Sequence, residues 1–401
     1  MITGILVARL LGPAGRGEFT VAILWPSIIA SLGSLGVKEA LTFQQAKGSQ
    51  PASRLAGAAF LLAAVQATLL CALGLVLIPL LTQAQEPGIT QISSVYLLVI
   101  PANLAAQYSL GLLQGNLEIH RYNLNRLLVS ALFALAVLLL WASNHVSVNS
   151  LVLSLLMANG IAALVAVLTV LIRFGVRWTL DLHLMRTILD YGLRNHVGSI
   201  SYQLNQRADQ MILAIFVAPQ ELGWYTVSAS VAGIATLASG AFAVVVFPKV
   251  AMLEESERFE VTSRYSRYNV TLTLLFAGAL LIATPFLIPI LYGSDFAPSV
   301  LPAEILILST VFVGIGQAWA GVMRGLGRPL VPAKAELLSL VATVIGLALL
   351  LPLYGIIGAA VTSFGAYLIA AVFLYLQLHR SLGVGPGDVL KPISPRLLIQ
   401  S

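Results

Sequence analysis

The sequence predicts an all-α polytopic membrane protein, built as two six-helix lobes in parallel pseudo-repeat. Three observations carry that expectation. Of 401 residues, 58% are hydrophobic and 9% charged, with a mean hydropathy of +0.93. Soluble domains average about 25% charged residues, so no soluble class fits. Second, apolar stretches close to the roughly 20 residues that cross a bilayer as a helix recur along the whole chain. Third, a turn motif occurs twice: Leu11-Gly12-Pro13-Ala14-Gly15-Arg16-Gly17-Glu18-Phe19-Thr20-Val21 returns as Val217-Ala218-Pro219-Gln220-Glu221-Leu222-Gly223-Trp224-Tyr225-Thr226-Val227. Pro13 pairs with Pro219, Gly17 with Gly223 and Phe19 with Tyr225 at constant spacing. A second echo, Gly111-Leu112-Leu113-Gln114-Gly115 with Gly321-Val322-Met323-Arg324-Gly325, is spaced slightly wider, as one small insertion would produce. Internal duplication of this kind points to a transporter architecture.

Taken in order, the spans fall at 19–37, 55–81, 92–113, 123–142 and 150–172, then at 196–218, 224–246, 268–291, 300–322, 333–351 and 355–378. These are eleven complete transmembrane helices, and residues 1–11 read as a truncated first helix. Its counterpart ahead of Pro219 starts near His196, so the stretch ahead of Pro13 is too short to span and a start upstream of Met1 is expected. A signal peptide fits poorly, since the segment lacks a basic start and a small-residue cleavage site. The domain plan is an N-terminal lobe at 1–172, a cytoplasmic linker at 173–195, a C-terminal lobe at 196–379 and a cytoplasmic tail at 380–401. The linker mixes Trp178, Leu180, Leu182, Leu184 and Ile188 with charges, so it is either an amphipathic segment on the membrane surface or an ordinary connection.

Charge placement sets the topology. Apart from Arg9, Arg16 and Arg207, the 22 Lys and Arg lie in or at the edges of the loops after spans 2, 4, 6, 8 and 10 and in the tail. The intervening loops hold none. By the positive-inside rule the basic loops face the cytoplasm, which places the C-terminus there too and the protein as a multi-pass chain in the plasma membrane. The net charge of +6 is therefore a topological signal and not a nucleic-acid footprint. An even number of spans per half gives both halves the same orientation.

Span 7 is the least ordinary helix, reading Gly198-Ser199-Ile200-Ser201-Tyr202-Gln203-Leu204-Asn205-Gln206-Arg207-Ala208-Asp209-Gln210. A charge at the bilayer centre costs about 2.5–3.5 kcal/mol even on the lenient insertion scale, so such residues face a cavity or a partner. On a continuous helix, Gly198, Tyr202, Asn205 and Asp209 form one stripe and Gln203, Gln206, Arg207 and Gln210 another. Arg207 and Asp209 are then expected on different sides. The functional reading is the wall of a wet cavity with Arg207 available to an anion; the alternative is a buried pair locking neighbouring helices. In span 4, Asn103 and Gln107 share a face at i, i+4. Gly111/Gly115 and Gly321/Gly325 have the spacing that lets helices approach closely. Gln114 and Arg324 occupy corresponding positions and are candidates for a cytoplasmic gate.

Enzyme and metal chemistry finds little support. Cys71 is the only cysteine, and His120, His145, His183, His196 and His379 are scattered, so no metal site and no cofactor is expected.

The residues as a set resemble the polysaccharide-biosynthesis (oligosaccharide) flippases of the multidrug/oligosaccharidyl-lipid/polysaccharide exporter superfamily. The segments that carry the resemblance are Ala8-Arg9-Leu10-Leu11-Gly12-Pro13-x-Gly15-x-Gly17, Leu32-Gly33-x-x-Gly36, Tyr191-Gly192-Leu193, Asn205-x-Arg207-x-Asp209-Gln210 and Leu222-Gly223-Trp224-Tyr225. Phe247-Pro248, Leu291-Tyr292-Gly293-x-x-Phe296, Gly325-x-Gly327-Arg328 and Tyr354-Gly355-x-x-Gly358-Ala359-Ala360 complete it. The resemblance implies a two-lobe flippase with a central polar cavity. It would carry polyprenyl-pyrophosphate-linked oligosaccharide from the inner to the outer leaflet by alternating access, with Arg9 and Arg207 as cavity cations and Asp209 as the acid. No spans 13 and 14 are present, which makes lipid II a less fitting substrate.

The candidate cavity residues are thus Arg9, Asn103, Gln107, Tyr202, Asn205, Arg207 and Asp209. Expected partners are the lipid-linked oligosaccharide, membrane lipids and polysaccharide-assembly proteins, with no nucleic acid. An ion gradient or the membrane potential is the expected energy source. Two alternatives remain: a cation-coupled multidrug exporter of the same superfamily, and a membrane glycan polymerase. The exporter is disfavoured because spans 1 to 6 lack acidic residues, and the polymerase because the outer loops are short.

Overall fold

The computed structural model describes residues 2–390 other than Ser49, Ala84 and Leu253. The backbone alone is described at residues 2, 195, 197–199, 201–202, 237–252 and 390. Every regular element among the described residues is a helix. Lipid offers the backbone no hydrogen-bond partner, and a helix satisfies its own N–H and C=O groups within one segment.

The chain opens with α1 (Ile2–Gly33), interrupted at Gly12 by φ 70° and ψ −179°, after which Pro13 begins a fresh helical stretch. There follow α2 (Val37–Lys47), α3 (Ala52–Leu81), α4 (Pro87–Tyr96), α5 (Val99–Gly115), α6 (Ile119–Ala142) and α7 (Val148–Phe174). Next come α8 (Leu182–Asn205), α9 (Ala208–Phe216), α10 (Pro219–Met252) and α11 (Glu255–Tyr292). A 3-10 turn (Ser294–Ser299) leads to α12 (Val300–Gly325), α13 (Leu330–Leu382) and the short α14 (Pro386–Leu390). Helix α13 is broken at Gly355 (φ 55°, ψ −136°), a backbone conformation that only glycine adopts without strain.

Among the described residues, seven helices are long and apolar enough to cross a membrane, or eight if the bent pair Thr3–Gly33 and Val37–Lys47 counts as one span. Their outward surfaces are apolar: Leu69, Leu75, Ile172, Ile282 and Leu353 all stand exposed. In water such a surface would drive aggregation, whereas in lipid it is the solvated face.

Two compact units make up the chain. The first contains Met1–Ile200 and Ala214–Gly223, the second Ser201–Leu213 and Trp224–Ser401. The stretch at 173–195, expected as a linker, is divided: residues 175–181 are non-helical and Leu182 starts a helix that continues to Asn205. The non-helical part is tied to α3, where the Arg177 N–H donates to the Ser53 carbonyl at 2.9 Å and Arg54 pairs with Asp181 at 2.5 Å. Asp181 also accepts the Leu184 N–H at 3.0 Å. That backbone donor first, and Arg54 beside it, hold the Asp181 carboxyl below its ordinary range.

Within the first unit, Gly111 and Gly115 of α5 face the backbone of α2. A Cβ at either would come within 2.7 Å of the Lys38 carbonyl oxygen or 2.6 Å of the Thr42 carbonyl oxygen. Here the small-xxx-small spacing is a packing device. The fully buried Tyr108 shares its hydroxyl between the Gln66 side chain and the Ser34 carbonyl, 3.2 Å away. The two echoed turns meet reciprocally in this unit: Gly17 lies against the Pro219 carbonyl and Gly223 against the Pro13 carbonyl.

In the second unit, Trp319, Met323, Leu374 and Leu378 form a buried cluster between α12 and α13. Buried polar bonds accompany it: Asn269 donates to the Gly314 carbonyl at 3.0 Å and the Trp319 indole to Ser266 at 3.2 Å. Helix association in lipid has no hydrophobic drive, so bonds like these, about 0.6–1.7 kcal/mol each, contribute substantially.

Candidate functional site

The polar segment singled out in the sequence is a broken helix. Helix α8 ends at Asn205, Gln206 and Arg207 leave the helical path, and α9 restarts at Ala208. The ends stay joined by backbone bonds from Arg207 N–H to the Leu204 carbonyl (3.1 Å) and from Met211 N–H to the Arg207 carbonyl (2.9 Å). Non-helical backbone at membrane depth is tolerated where it is buried in protein or lines a wet cavity.

The break corrects the two-stripe expectation. A phase of 100° per residue presumes one continuous helix, and here it is lost between Asn205 and Ala208. Arg207 and Asp209 therefore border the same cavity, of about 400 Å³ within the second unit, together with Gln206, Gln210, Ser309 and Tyr367. Asp209 accepts the Tyr225 hydroxyl at 2.5 Å and the Gln210 N–H at 2.7 Å. Arg207 is exposed and donates to Gln210 at 3.1 Å; among the described residues it has no ion pair. Gln206 accepts the Tyr367 hydroxyl at 3.2 Å.

Asn205 does not border that cavity. It is buried, donates to Glu336 at 2.8 Å and accepts from Ser339 at 3.3 Å, so it pins the end of α8 to α13. Tyr202 lies outside the described side chains. In the first unit, Gln107 bonds Asn103 on one face of α5, as the i, i+4 spacing predicts, and both line a second cavity. Arg9, exposed on α1 ahead of the Gly12 break, borders neither cavity. Gln114 and Arg324 stand in the last turns of α5 and α12 and border neither cavity as well.

Sequence reasoning passed over Glu336, Ser339, Tyr225 and Tyr367. One signal was available for Glu336, the lone carboxylate in the apolar stretch 333–351. In the sequence Tyr225 stands out only as an echo of Phe19. Among the described residues no group of three or more His, Cys, Asp or Glu side chains is placed to hold a metal ion.

Long apolar helices with charged and amide-lined cavities among them define a polytopic α-helical membrane protein. The chain belongs to the polysaccharide biosynthesis protein family, whose pattern matches residues 6–301. Over 186 residues it is 28% identical to the probable low-salt glycan biosynthesis flippase Agl15 of Haloferax volcanii, a match covering 44% of this chain and 39% of that protein. The chain thus spans well under half the length of this relative. In fold it is similar to an inward-facing multidrug resistance MATE family transporter of the MOP superfamily. There the TM-score is 0.78 at 13% identity, over 95% of this chain and 93% of that one. It is similar also to the lipid II flippase MurJ in an inward closed conformation, with a TM-score of 0.74 at 14% identity, over 94% and 85% of the two chains.

Proposed function

We propose that the protein is a flippase, moving polyprenyl-pyrophosphate-linked oligosaccharide from the inner to the outer leaflet of the plasma membrane by alternating access. The observation that carries the reading is the broken α8–α9 helix with Arg207 beside a polar cavity and no ion pair among the described residues. Family membership and the glycan flippase relative support it. Each sugar hydroxyl costs roughly 2–7 kcal/mol to bury in an apolar medium without a partner, so unassisted flipping is negligible. A cavity offering amides, hydroxyls and a guanidinium removes that barrier, and the lipid tail stays in the bilayer.

The same reading takes the chain as two related halves with a cytoplasmic C-terminus. Arg207 and Asp209 are its main substrate-facing groups, and Asn205 a residue that positions them. Gln114 and Arg324 are its candidates for a cytoplasmic gate, Arg9 a candidate cavity cation, and polysaccharide-assembly proteins candidate partners. Reconstitution into liposomes with fluorescent lipid-linked oligosaccharide tests it: wild type speeds transfer between leaflets and Arg207→Ala does not.

The likeness to a MATE transporter keeps a drug-export reading in view. Arg207 and Asp209 border the polar cavity together, so its charge alone gives no preference for the lipophilic cations such exporters would bind. Uptake of ethidium into inverted vesicles, with no oligosaccharide flipping, would favour that reading instead.

A further inference from the structure

The cavity of the first unit has a chemistry of its own. It measures about 200 Å³ and is walled by Asn103 and Gln107 of α5, Asn125 and Arg126 of α6 and Asn159 of α7, set among small and apolar residues. It contains four amides and one guanidinium, and no carboxylate. The amides are each half used. Asn125 donates its NH2 to the Ala162 carbonyl at 2.8 Å, and Asn159 donates to the Leu155 carbonyl at 2.8 Å. A carbonyl only accepts, so in both the side-chain oxygen is the free end. Gln107 donates to Asn103, which leaves the Gln107 oxygen and the Asn103 NH2 unspent. None of these free ends is sealed in the packing. Arg126 lies over the Tyr122 ring, 5.6 Å from its centroid, and Lys38 lies over the same ring at 5.3 Å. Neither has an ion pair among the described residues.

A mixed set of free acceptors and donors matches groups that both donate and accept, which means hydroxyls and N-acyl amides. The cation beside them excludes amines and favours an anion within reach of those hydroxyls. We propose that this cavity is a carbohydrate subsite, with Gln107, Asn125 and Asn159 accepting from sugar hydroxyls, Asn103 donating to them, and Arg126 taking the phosphate. The proposal rests on the flippase reading but assigns the sugar to residues separate from the Arg207 cavity.

The test uses the full chain in detergent, with binding followed by thermophoresis. Three probes are compared: decaprenyl-pyrophosphate N-acetylglucosamine, decaprenyl pyrophosphate without sugar, and phosphatidylglycerol. Wild type should bind the sugar-bearing lipid about tenfold more tightly than the bare pyrophosphate, as one to two net hydrogen bonds provide. Gln107→Leu with Asn159→Leu should erase that difference and spare binding of the bare lipid. Arg126→Ala should weaken both pyrophosphate lipids about tenfold. The isosteric pair Gln107→Glu with Asn159→Asp, which keeps volume and adds negative charge, should weaken both as well, so a leucine variant that misfolds does not end the test. A sugar preference that survives the leucine pair, or pyrophosphate binding that the acidic pair leaves unchanged, overturns the proposal. So does equal binding of phosphatidylglycerol, which makes the cavity a site for bulk anionic lipid. Flipping by wild type together with an unaffected sugar preference removes only the subsite. Cavity-dependent binding without flipping removes only the transport reading.

Discussion

The Asn205 side chain donates to Glu336 at 2.8 Å, joining the end of α8 to α13 inside the second unit. The bond sits immediately before the helix break, where two residues leave the helical path. A buried amide that loses its acceptor costs about 1–3 kcal/mol. Glu336→Leu should therefore lower the unfolding midpoint clearly and slow flipping, because the break loses its anchor. Glu336→Gln keeps an oxygen acceptor and should recover most of the stability. Scanning fluorimetry in detergent measures both; a leucine variant as stable as wild type would show that the bond anchors nothing.

At the cavity itself, Arg207 should matter through its charge. A hydrogen bond to a charged group contributes about 1.5–3 kcal/mol, so Arg207→Ala should slow flipping by at least about tenfold, with Arg207→Lys intermediate. Asp209 takes the Tyr225 hydroxyl and the Gln210 N–H, so Asp209→Ala frees both donors and should abolish surface glycan at normal protein level. Tyr225→Phe removes one donor of two and should have the smaller effect. Normal glycan in both the Arg207 and Asp209 variants would take them out of the mechanism.

How far these features were legible beforehand varies with their range in the chain. Span 55–81 emerges as α3 and 150–172 as α7, because a long apolar run is a local property that lipid enforces. The Asn103–Gln107 bond was readable because i, i+4 neighbours meet on any helix. Asn205 with Glu336 was not, since the partner lies 131 residues away and nothing local names it. The placement of Arg207 and Asp209 failed for a different reason: periodicity presumes an unbroken helix, and a run of polar residues does not announce where the helix will yield.

The approach of α5 to α2 gives a steric prediction. Gly115→Val would push a side chain against the Thr42 carbonyl and Gln45, and backbone cannot move aside as a flexible side chain can. Overpacking of this kind costs about 1–3 kcal/mol. The variant should express poorly and unfold earlier, and Gly115→Ala should fall between. Wild-type behaviour of the valine variant would mean that the two helices sit further apart than described.

Acid should loosen the strap between α7 and α8. The Asp181 carboxyl is held below its ordinary range by the Leu184 N–H and Arg54, so the folded state favours the charged form. Its contribution is complete above the ordinary carboxylate range and fades as pH falls through the lowered folded value. Asp181→Asn should remove that acid-side loss, giving an unfolding midpoint lower at neutral pH and less sensitive to acidification. Parallel pH profiles for the two proteins would contradict this.

Direction of transport should follow the membrane potential. The proposed cargo carries its negative charge on pyrophosphate, and an inside-negative potential favours outward movement by about 2.3 kcal/mol per charge per 100 mV. A substrate that crosses with its charge exposed to the field feels that bias, whereas one neutralised by a co-transported cation feels less of it. Proteoliposomes with an imposed potassium diffusion potential separate the cases. Flipping toward the positive side should rise as the potential grows and slow when valinomycin is added without a gradient. If the rate is flat against potential but rises with an imposed proton or sodium gradient, an ion carries the energy, and the anion crosses electrically silent.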